Sequence, residues 1–354
     1  MRNQLRSISP NGYPMAVGRK AREKSRSLAE VIRTDEIAKG LIMIQDEQQR
    51  QFKKLRVSLL ENCNFACAYC VPGGIAKFRS QSGQTPVENF LENISRIHKL
   101  VNLESVRLTG GEPTLFKKLP ELIAGLKGFG IPKIALTTNG SRLKKLSQEL
   151  KSAGLDSMNV SLDSLDEEGF RRINRSSRLS SVLEGIESAL NAGIDVKINC
   201  TVMKGINENQ IIPLLEWAQK RNIIVRYLEL MKMGHLFYSH KDFYFSQQEI
   251  LDLIESKYQL IELGRTRSDT CTYWQIPLSV KIGIISNHSK PFCSDCNRLR
   301  MDYKGNIYGC LSENKFFPMQ RDESALRLTL QNAIQLKKAK IFSGSSISMQ
   351  AIGG

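Results

Sequence analysis

Between residues 63 and 70 the chain reads Cys63-Asn64-Phe65-Ala66-Cys67-Ala68-Tyr69-Cys70, three cysteines at C-x3-C-x2-C spacing with an aromatic residue directly before the last. This stretch constrains the fold more than any other, because three thiols at ligand spacing require a loop that gathers them around one object. A closed tetrahedral zinc or iron–sulfur site takes four protein ligands, and the next cysteine is Cys200. The set is one ligand short, which leaves an iron free to bind something else. Two readings compete with a cluster: buried core thiols, since free cysteine is among the most buried residues, and zinc completed by a distant ligand. Core thiols have no reason to gather on one loop, so an iron–sulfur cluster is favoured.

The flanking sequence indicates the scaffold that presents this loop. Residues 54–60 read as a strand leading into it, and residues 87–101 as a helix with Phe90, Leu91, Ile94 and Ile97 at helical spacing. The beat then repeats: strand 105–108 and helix 119–126, strand 133–137 and helix 143–153, strand 157–162 and helix 181–192, strand 195–203 and helix 211–221, and a closing strand at 223–231. Strands alternating with helices predict right-handed crossovers and a parallel α/β sheet, here a partial six-stranded barrel of the TIM type. Gly110-Gly111, Asn139-Gly140 and Asp163 fall in loops after strands. Polar and backbone-exposing residues thus gather at the C-terminal edge, where parallel sheets bind ligands.

After about residue 245 the rhythm changes to a helix at 247–258, short strands around Tyr273, 280–285, 299–302 and 307–311, a last helix at 324–337 and a Ser/Gly-rich tail from Ser343. The expected division is a basic N-terminal extension over 1–50, largely disordered, a partial barrel over 51–245 and a C-terminal domain over 246–354. That last region has its own cysteines, Cys293-Ser294-Asp295-Cys296 and then Cys310, again three ligands without a fourth. Only Cys200, Cys271 or a histidine could complete the set. Arg298 and Arg300 follow directly, two apart on an expected strand and so on one face. Guanidinium groups beside a metal site suit phosphate or a polar purine edge.

Charge points the same way, because 51 Lys and Arg against 35 Asp and Glu give a net charge of +16, which favours anionic partners. Part of it lies in Arg2, Arg6, Arg19, Lys20, Arg22, Lys24 and Arg26, a segment with no long apolar run and thus neither a secretory signal nor a membrane helix. Eight cysteines without an export signal are expected to be reduced, metal-binding thiols of a cytoplasmic protein.

Together these motifs resemble the radical S-adenosylmethionine enzymes, and more narrowly the GTP 3′,8-cyclases of molybdenum-cofactor biosynthesis. Leu108-Thr109-Gly110-Gly111-Glu112-Pro113 is similar to the superfamily's second motif. The narrower likeness rests on Thr137-Thr138-Asn139-Gly140, Asn159-Val160-Ser161-Leu162-Asp163, the second triplet with its arginines, and the terminal Ile352-Gly353-Gly354. The likeness spans about residues 50–354. Leu59-Leu60-Glu61-Asn62 departs from the usual run before the first cysteine, and Ser105 stands where some relatives place a lysine.

The resemblance implies two 4Fe–4S clusters. Cys63, Cys67 and Cys70 would hold one whose free iron chelates S-adenosylmethionine and cleaves it to methionine and a 5′-deoxyadenosyl radical. Cys293, Cys296 and Cys310 would hold a second, whose open iron binds the guanine of GTP. It also implies S-adenosylmethionine contacts from Tyr69, Gly111, Ser161 and Met231, and GTP contacts from Arg56, Arg107, Thr137, Lys197, Arg298, Leu299 and Arg300. Arg298, Arg300, Gly353 and Gly354 would act in catalysis, the two glycines by reaching into the site. The implied reaction abstracts the ribose 3′ hydrogen, joins that carbon to guanine C8 and yields 3′,8-cyclo-7,8-dihydro-GTP. Expected partners are an electron donor such as flavodoxin or ferredoxin, the next enzyme, which forms cyclic pyranopterin monophosphate, and a second copy in a homodimer, with no membrane. A radical enzyme with a peptide or RNA substrate and a zinc-containing nucleic-acid-binding protein are the rival functions. The sparse tryptophans and scattered tyrosines argue against the last.

Overall fold

A computed structural model of the protein describes residue 40 and residues 43–74, 84–337 and 341–352. Of the basic extension expected over 1–50, residues 1–39, 41 and 42 lie outside the described residues, as do the terminal Gly353 and Gly354, whereas 43–50 pack against the body through the buried Ile44, Asp46 and Arg50. Among the described residues twelve strands form one sheet, in the order β12-β11-β10-β1-β2-β3-β4-β5-β6-β9-β8-β7. β1 (Lys54–Ser58), β2 (Ser105–Thr109), β3 (Lys133–Thr138), β4 (Ser157–Ser161), β5 (Asp195–Val202) and β6 (Ile224–Glu229) are the six strands of the repeating beat, parallel throughout.

Each strand alternates. In β5, Val196, Ile198, Cys200 and Val202 are buried while Lys197, Asn199 and Thr201 are only half covered. The apolar set packs under the helices and the polar set lines the other face, as a period of two requires. Helices α1 (Val87–Val101), α2 (Leu119–Gly128) and α3 (Leu143–Ser152) form where the sequence predicts them. Val87, Phe90, Ile94 and Ile97 make the buried stripe of α1, and Asn102 ends it in the left-handed region at φ 50°.

A helix the periodicity did not indicate, α4 (Glu167–Asn174), precedes α5 (Leu179–Asn191). With eight residues and two apolar anchors, Phe170 and Ile173, it has too little pattern to register. Its signal is the start: Asp166 Oδ1 accepts the Gly169 N–H at 2.6 Å, with Glu167 and Glu168 in the first turn.

The C-terminal strands extend the same sheet on both sides. β9 (Lys281–Ile285) runs parallel beside β6, with β8 (Thr272–Gln275) and β7 (Ile261–Gly264) antiparallel beyond it. β10 (Arg298–Met301) runs parallel beside β1, followed by β11 (Asn306–Tyr308) and β12 (Phe317–Pro318). Neither β7, whose first three residues are exposed, nor the two-residue β12 is indicated by the residue pattern.

The sheet curls. Lys54 Nζ on β1 donates to Ser268 O between β7 and β8 at 3.1 Å, and Arg265 pairs with Asp295 just before β10 at 2.9 Å, although these elements lie far apart in strand order. The polar strand faces therefore line an interior, as in a barrel. Among the described residues no helix is long and apolar enough to cross a membrane.

Candidate active site

The first cysteine loop leaves the C-terminal end of β1, and α4 lies against it. Ala66 and Ala68 donate their N–H groups to Asn174 O and Ile173 O at 3.3 and 2.8 Å. Amide donors reach the sulfurs: Asn174 Nδ2 to Cys67 at 3.3 Å, Asn139 Nδ2 to Cys63 at 3.9 Å and the Phe65 N–H to Cys63 at 3.4 Å. N–H donors around cysteine sulfur are what tunes a bound iron–sulfur cluster. Burial and then Asp163 push the Cys67 thiol up to about 11, and burial, then Cys67 and Asp163, push the Cys70 thiol to about 12. A metal reverses that preference by binding the thiolates. Among the described residues no three His, Cys, Asp or Glu side chains converge tightly enough for a single metal ion. Three thiols with N–H donors on two of their sulfurs fit the ligation of an iron–sulfur cluster.

Two buried carboxylates brace this end. Glu112 accepts from the Thr114 and Thr138 hydroxyls at 2.6 Å each and from the Asn139 N–H at 2.7 Å, tying the Gly110-Gly111-Glu112 turn to the end of β3. Asp163 accepts from the Tyr69 hydroxyl at 2.8 Å, from Asn174 at 3.2 Å and from the Thr201 N–H at 2.8 Å. Burial raises the pKa of both carboxyls, against these hydrogen bonds. Tyr69 packs beside Met203, Leu230 and Leu236, Ser161 ends β4, and Met231 follows β6.

Gly111 serves the loop itself. A Cβ there would stand 2.2 Å from Asn62 O, and Gly110 has φ 145° against Leu60. Gly111→Ala is expected to destabilise the protein by about 3 kcal/mol, because the Glu61–Asn62 backbone that the new methyl meets cannot yield. Urea unfolding of the iron-free protein checks this, and an unchanged midpoint would contradict it.

The barrel interior is strongly cationic. Arg300, Arg56 and Arg107 stand in register on β10, β1 and β2, and Lys54 faces Arg298 one step nearer the N-terminal edge. Burial and then Arg300, Arg298 and Arg107 push the Arg56 pKa well below its ordinary value, and its Nε has no hydrogen-bond partner. Burial followed by Arg298 lowers Arg300 to about 10, and burial followed by Arg226 lowers Arg107 to about 10. Among the described residues no carboxylate forms an ion pair with Arg56, Arg107 or Arg298. Arg107 donates to Leu136 O at 3.0 Å and Thr137 Oγ1 at 3.5 Å, and Lys197 pairs with Asp195 at 2.7 Å. Thr137, Asn159 and Lys197 form the next row across β3, β4 and β5.

Leu299 faces the other way: its side chain is fully buried in the apolar core, so only its backbone lies on the arginine-bearing strand edge. Sequence inspection missed Arg226, which donates to Asn199 Oδ1 through Nε and Nη2 at 3.0 and 2.6 Å. Its signal is an arginine inside the apolar run of β6.

The second triplet lies at the opposite end, since Cys296 directly precedes β10 and Cys310 follows β11, which runs antiparallel to β10. Arg298 Nη2 donates to Cys296 Sγ at 3.3 Å and stacks over Phe292 with 5.1 Å to the ring centre. Although burial pushes the Cys296 thiol up, Lys337, Arg298 and the Arg298 N–H bring it down to about 5. Burial, Cys310 and Cys296 raise Cys293 to about 11. Neither lone cysteine completes this set: Cys200 packs in the core, and Cys271 is buried against Gly283 and Arg226. Ile352, next to the terminal glycines, is fully buried in an apolar cluster with Tyr308 and Leu311, which bracket Cys310 in sequence. From Lys54 to Ser58, β1 rises about 13 Å between the two ends, at 3.3 Å per residue.

The sequence matches the family model of the radical SAM superfamily over residues 57–218 and that of Molybdenum Cofactor Synthesis C over residues 223–343. It is 38% identical over 270 residues to a GTP 3′,8-cyclase of Helicobacter pylori, covering 76% of this chain and 83% of that protein. A GTP 3′,8-cyclase of Campylobacter fetus is 37% identical over 271 residues, covering 76% and 83%, and one of Marinobacter nauticus 34% over 284 residues, covering 78% and 84%. Among solved structures the fold is similar to Streptococcus suis SuiB bound to S-adenosylmethionine, with a TM-score of 0.60 and 15% identity over 80% of this chain and 68% of that one. SuiB bound to its precursor peptide SuiA gives 0.61 and 14% over 95% and 75%. At these identities the likeness concerns the fold alone.

Proposed function

Because the chain belongs to the GTP 3′,8-cyclases of the radical SAM superfamily, we infer that it converts GTP to 3′,8-cyclo-7,8-dihydro-GTP, the first step of molybdenum-cofactor biosynthesis. It is an enzyme that uses a 4Fe–4S cluster and S-adenosylmethionine. The observation that carries the reading is the row Arg300, Arg56 and Arg107, one buried and two half-buried arginines abreast in one interior. Neighbouring guanidinium groups suit a polyanion, and a triphosphate supplies about four negative charges at the spacing guanidinium forks accept.

The cluster on Cys63, Cys67 and Cys70 supplies, when bound, the electron that splits S-adenosylmethionine and so produces the hydrogen-abstracting radical. Tyr69, Gly111, Ser161 and Met231 are assigned to S-adenosylmethionine, with Asp163 holding the Tyr69 hydroxyl and Glu112 holding the turn after β2. Arg56, Arg107, Thr137 and Lys197 are assigned to the nucleotide, with Arg298, Leu299 through its backbone, and Arg300 at the guanine end. Gly353 and Gly354 are assigned to the site as the continuation of the buried Ile352. Holding the ribose between the two ends and excluding water is this chain's share of the catalysis.

Cys293, Cys296 and Cys310 would hold a second 4Fe–4S cluster that ligates the guanine. Reconstituted protein is then expected to contain about eight irons, falling to about four when Cys293 and Cys296 become Ala. Zinc in their place would exclude guanine ligation. The same reading calls for a one-electron carrier such as flavodoxin or ferredoxin, a following enzyme that forms cyclic pyranopterin monophosphate, a cytoplasmic setting and a homodimer. Anaerobic incubation with S-adenosylmethionine and GTP tests the function: 5′-deoxyadenosine and the cyclised nucleotide are expected together, and absence of both would refute it.

A further inference from the structure

Lys337, just beyond the helix Glu323–Gln335, sits between the two segments that bear the second triplet. Its Nζ donates to Arg298 O and to Gly309 O, each at 2.7 Å. The first acceptor is two residues after Cys296 and the second is directly before Cys310. A third donor remains on the ammonium, and its charge acts on the Cys296 thiol.

The opposite side of the triplet is held by a different cation. Arg50 Nη1 donates to Cys293 O at 2.6 Å and to Ser294 O at 3.3 Å, and its Nε pairs with Asp46 at 2.5 Å. Fully buried Phe52 lies between the two, with Arg50 at 5.8 Å and Lys337 at 5.3 Å from its ring centre. The two cations differ in charge balance. Asp46 neutralises Arg50, whereas Lys337 has no ion pair with a carboxylate among the described residues. Its two carbonyl bonds and the ring face fix it without cancelling its charge.

We propose that Lys337 is a positioning residue for the guanine-side cluster, tying the Cys296 and Cys310 segments together and presenting one uncompensated positive charge to its sulfurs. The inference rests on the second cluster proposed above. A fixed cation beside a cluster favours its reduced, more negative form, so it raises the reduction potential.

Redox titration followed by electron paramagnetic resonance, with iron analysis, tests this in reconstituted protein. For Lys337→Gln the midpoint of the second cluster is expected to move to lower potential while that of the first stays in place. Lys337→Arg, which restores the charge and can bridge both carbonyls, is expected to return it. Should Lys337→Gln fail to bind the second cluster at all, Lys337→Arg restoring about eight irons supports the tie. Eight irons with an unmoved midpoint in Lys337→Gln would overturn the inference, as would loss of cluster in both variants. If the wild type holds only four irons, and Cys293→Ala loses none, the second-cluster reading itself has failed.

Discussion

Arg56→Gln is expected to lower kcat/KM for cyclisation by about two to three orders of magnitude, because removing a desolvated cation from its charged partner costs roughly 2–5 kcal/mol. Cleavage of S-adenosylmethionine should persist, uncoupled, since the first cysteine loop is built from other residues. The free protein should respond in the opposite sense. Burial and three neighbouring arginines act against the charge on Arg56, so a neutral side chain relieves repulsion and should raise the melting temperature by a few degrees. Product analysis of both reactions beside a thermal melt without GTP checks the pair of effects. Equal losses of 5′-deoxyadenosine and cyclised nucleotide, with a lower melting temperature, would mark Arg56 as structural.

Cys67→Ala is expected to abolish both products. Its sulfur is the one that Asn174 Nδ2 approaches at 3.3 Å, and Asn174 also contacts Asp163, which holds Tyr69. Loss of this thiol removes a cluster ligand and empties the centre of that network. Iron should fall from about eight to about four per chain, with the remaining signal belonging to the second triplet. Retention of 5′-deoxyadenosine formation would show that radical generation does not depend on this loop.

Much of this was legible in the chain. The cysteine spacings, the turn after β2 and the α/β beat are local patterns, and the helices under them follow from apolar residues at period 3.6. Register is a different matter. That Arg300 would stand beside Arg56, and Arg56 beside Arg107, depends on β10 pairing with β1 across 244 positions, which no local pattern encodes. Arg226 and Lys337 were hidden for the same reason: each draws its meaning from a neighbour distant in sequence. Gly111 stands in a motif legible in the chain, but that a Cβ there would meet the backbone at Asn62 is visible only in the fold. Leu299 sits among site arginines in sequence, yet strand alternation turns its side chain into the core.

The placement of β9 and β10 on opposite flanks of the six-stranded unit also bears on how the chain is made. As it leaves the ribosome, β1 to β6 are complete while β1 and β6 each lack an outer neighbour, and those neighbours arrive only at residues 281–285 and 298–301. Through that interval the nascent chain exposes two bare parallel edges, the geometry most open to pairing with another molecule. Closure between positions so far apart is slow. The C-terminal region therefore acts in folding as the shield of both edges, and a chain interrupted before it would be an aggregation hazard rather than a smaller working enzyme.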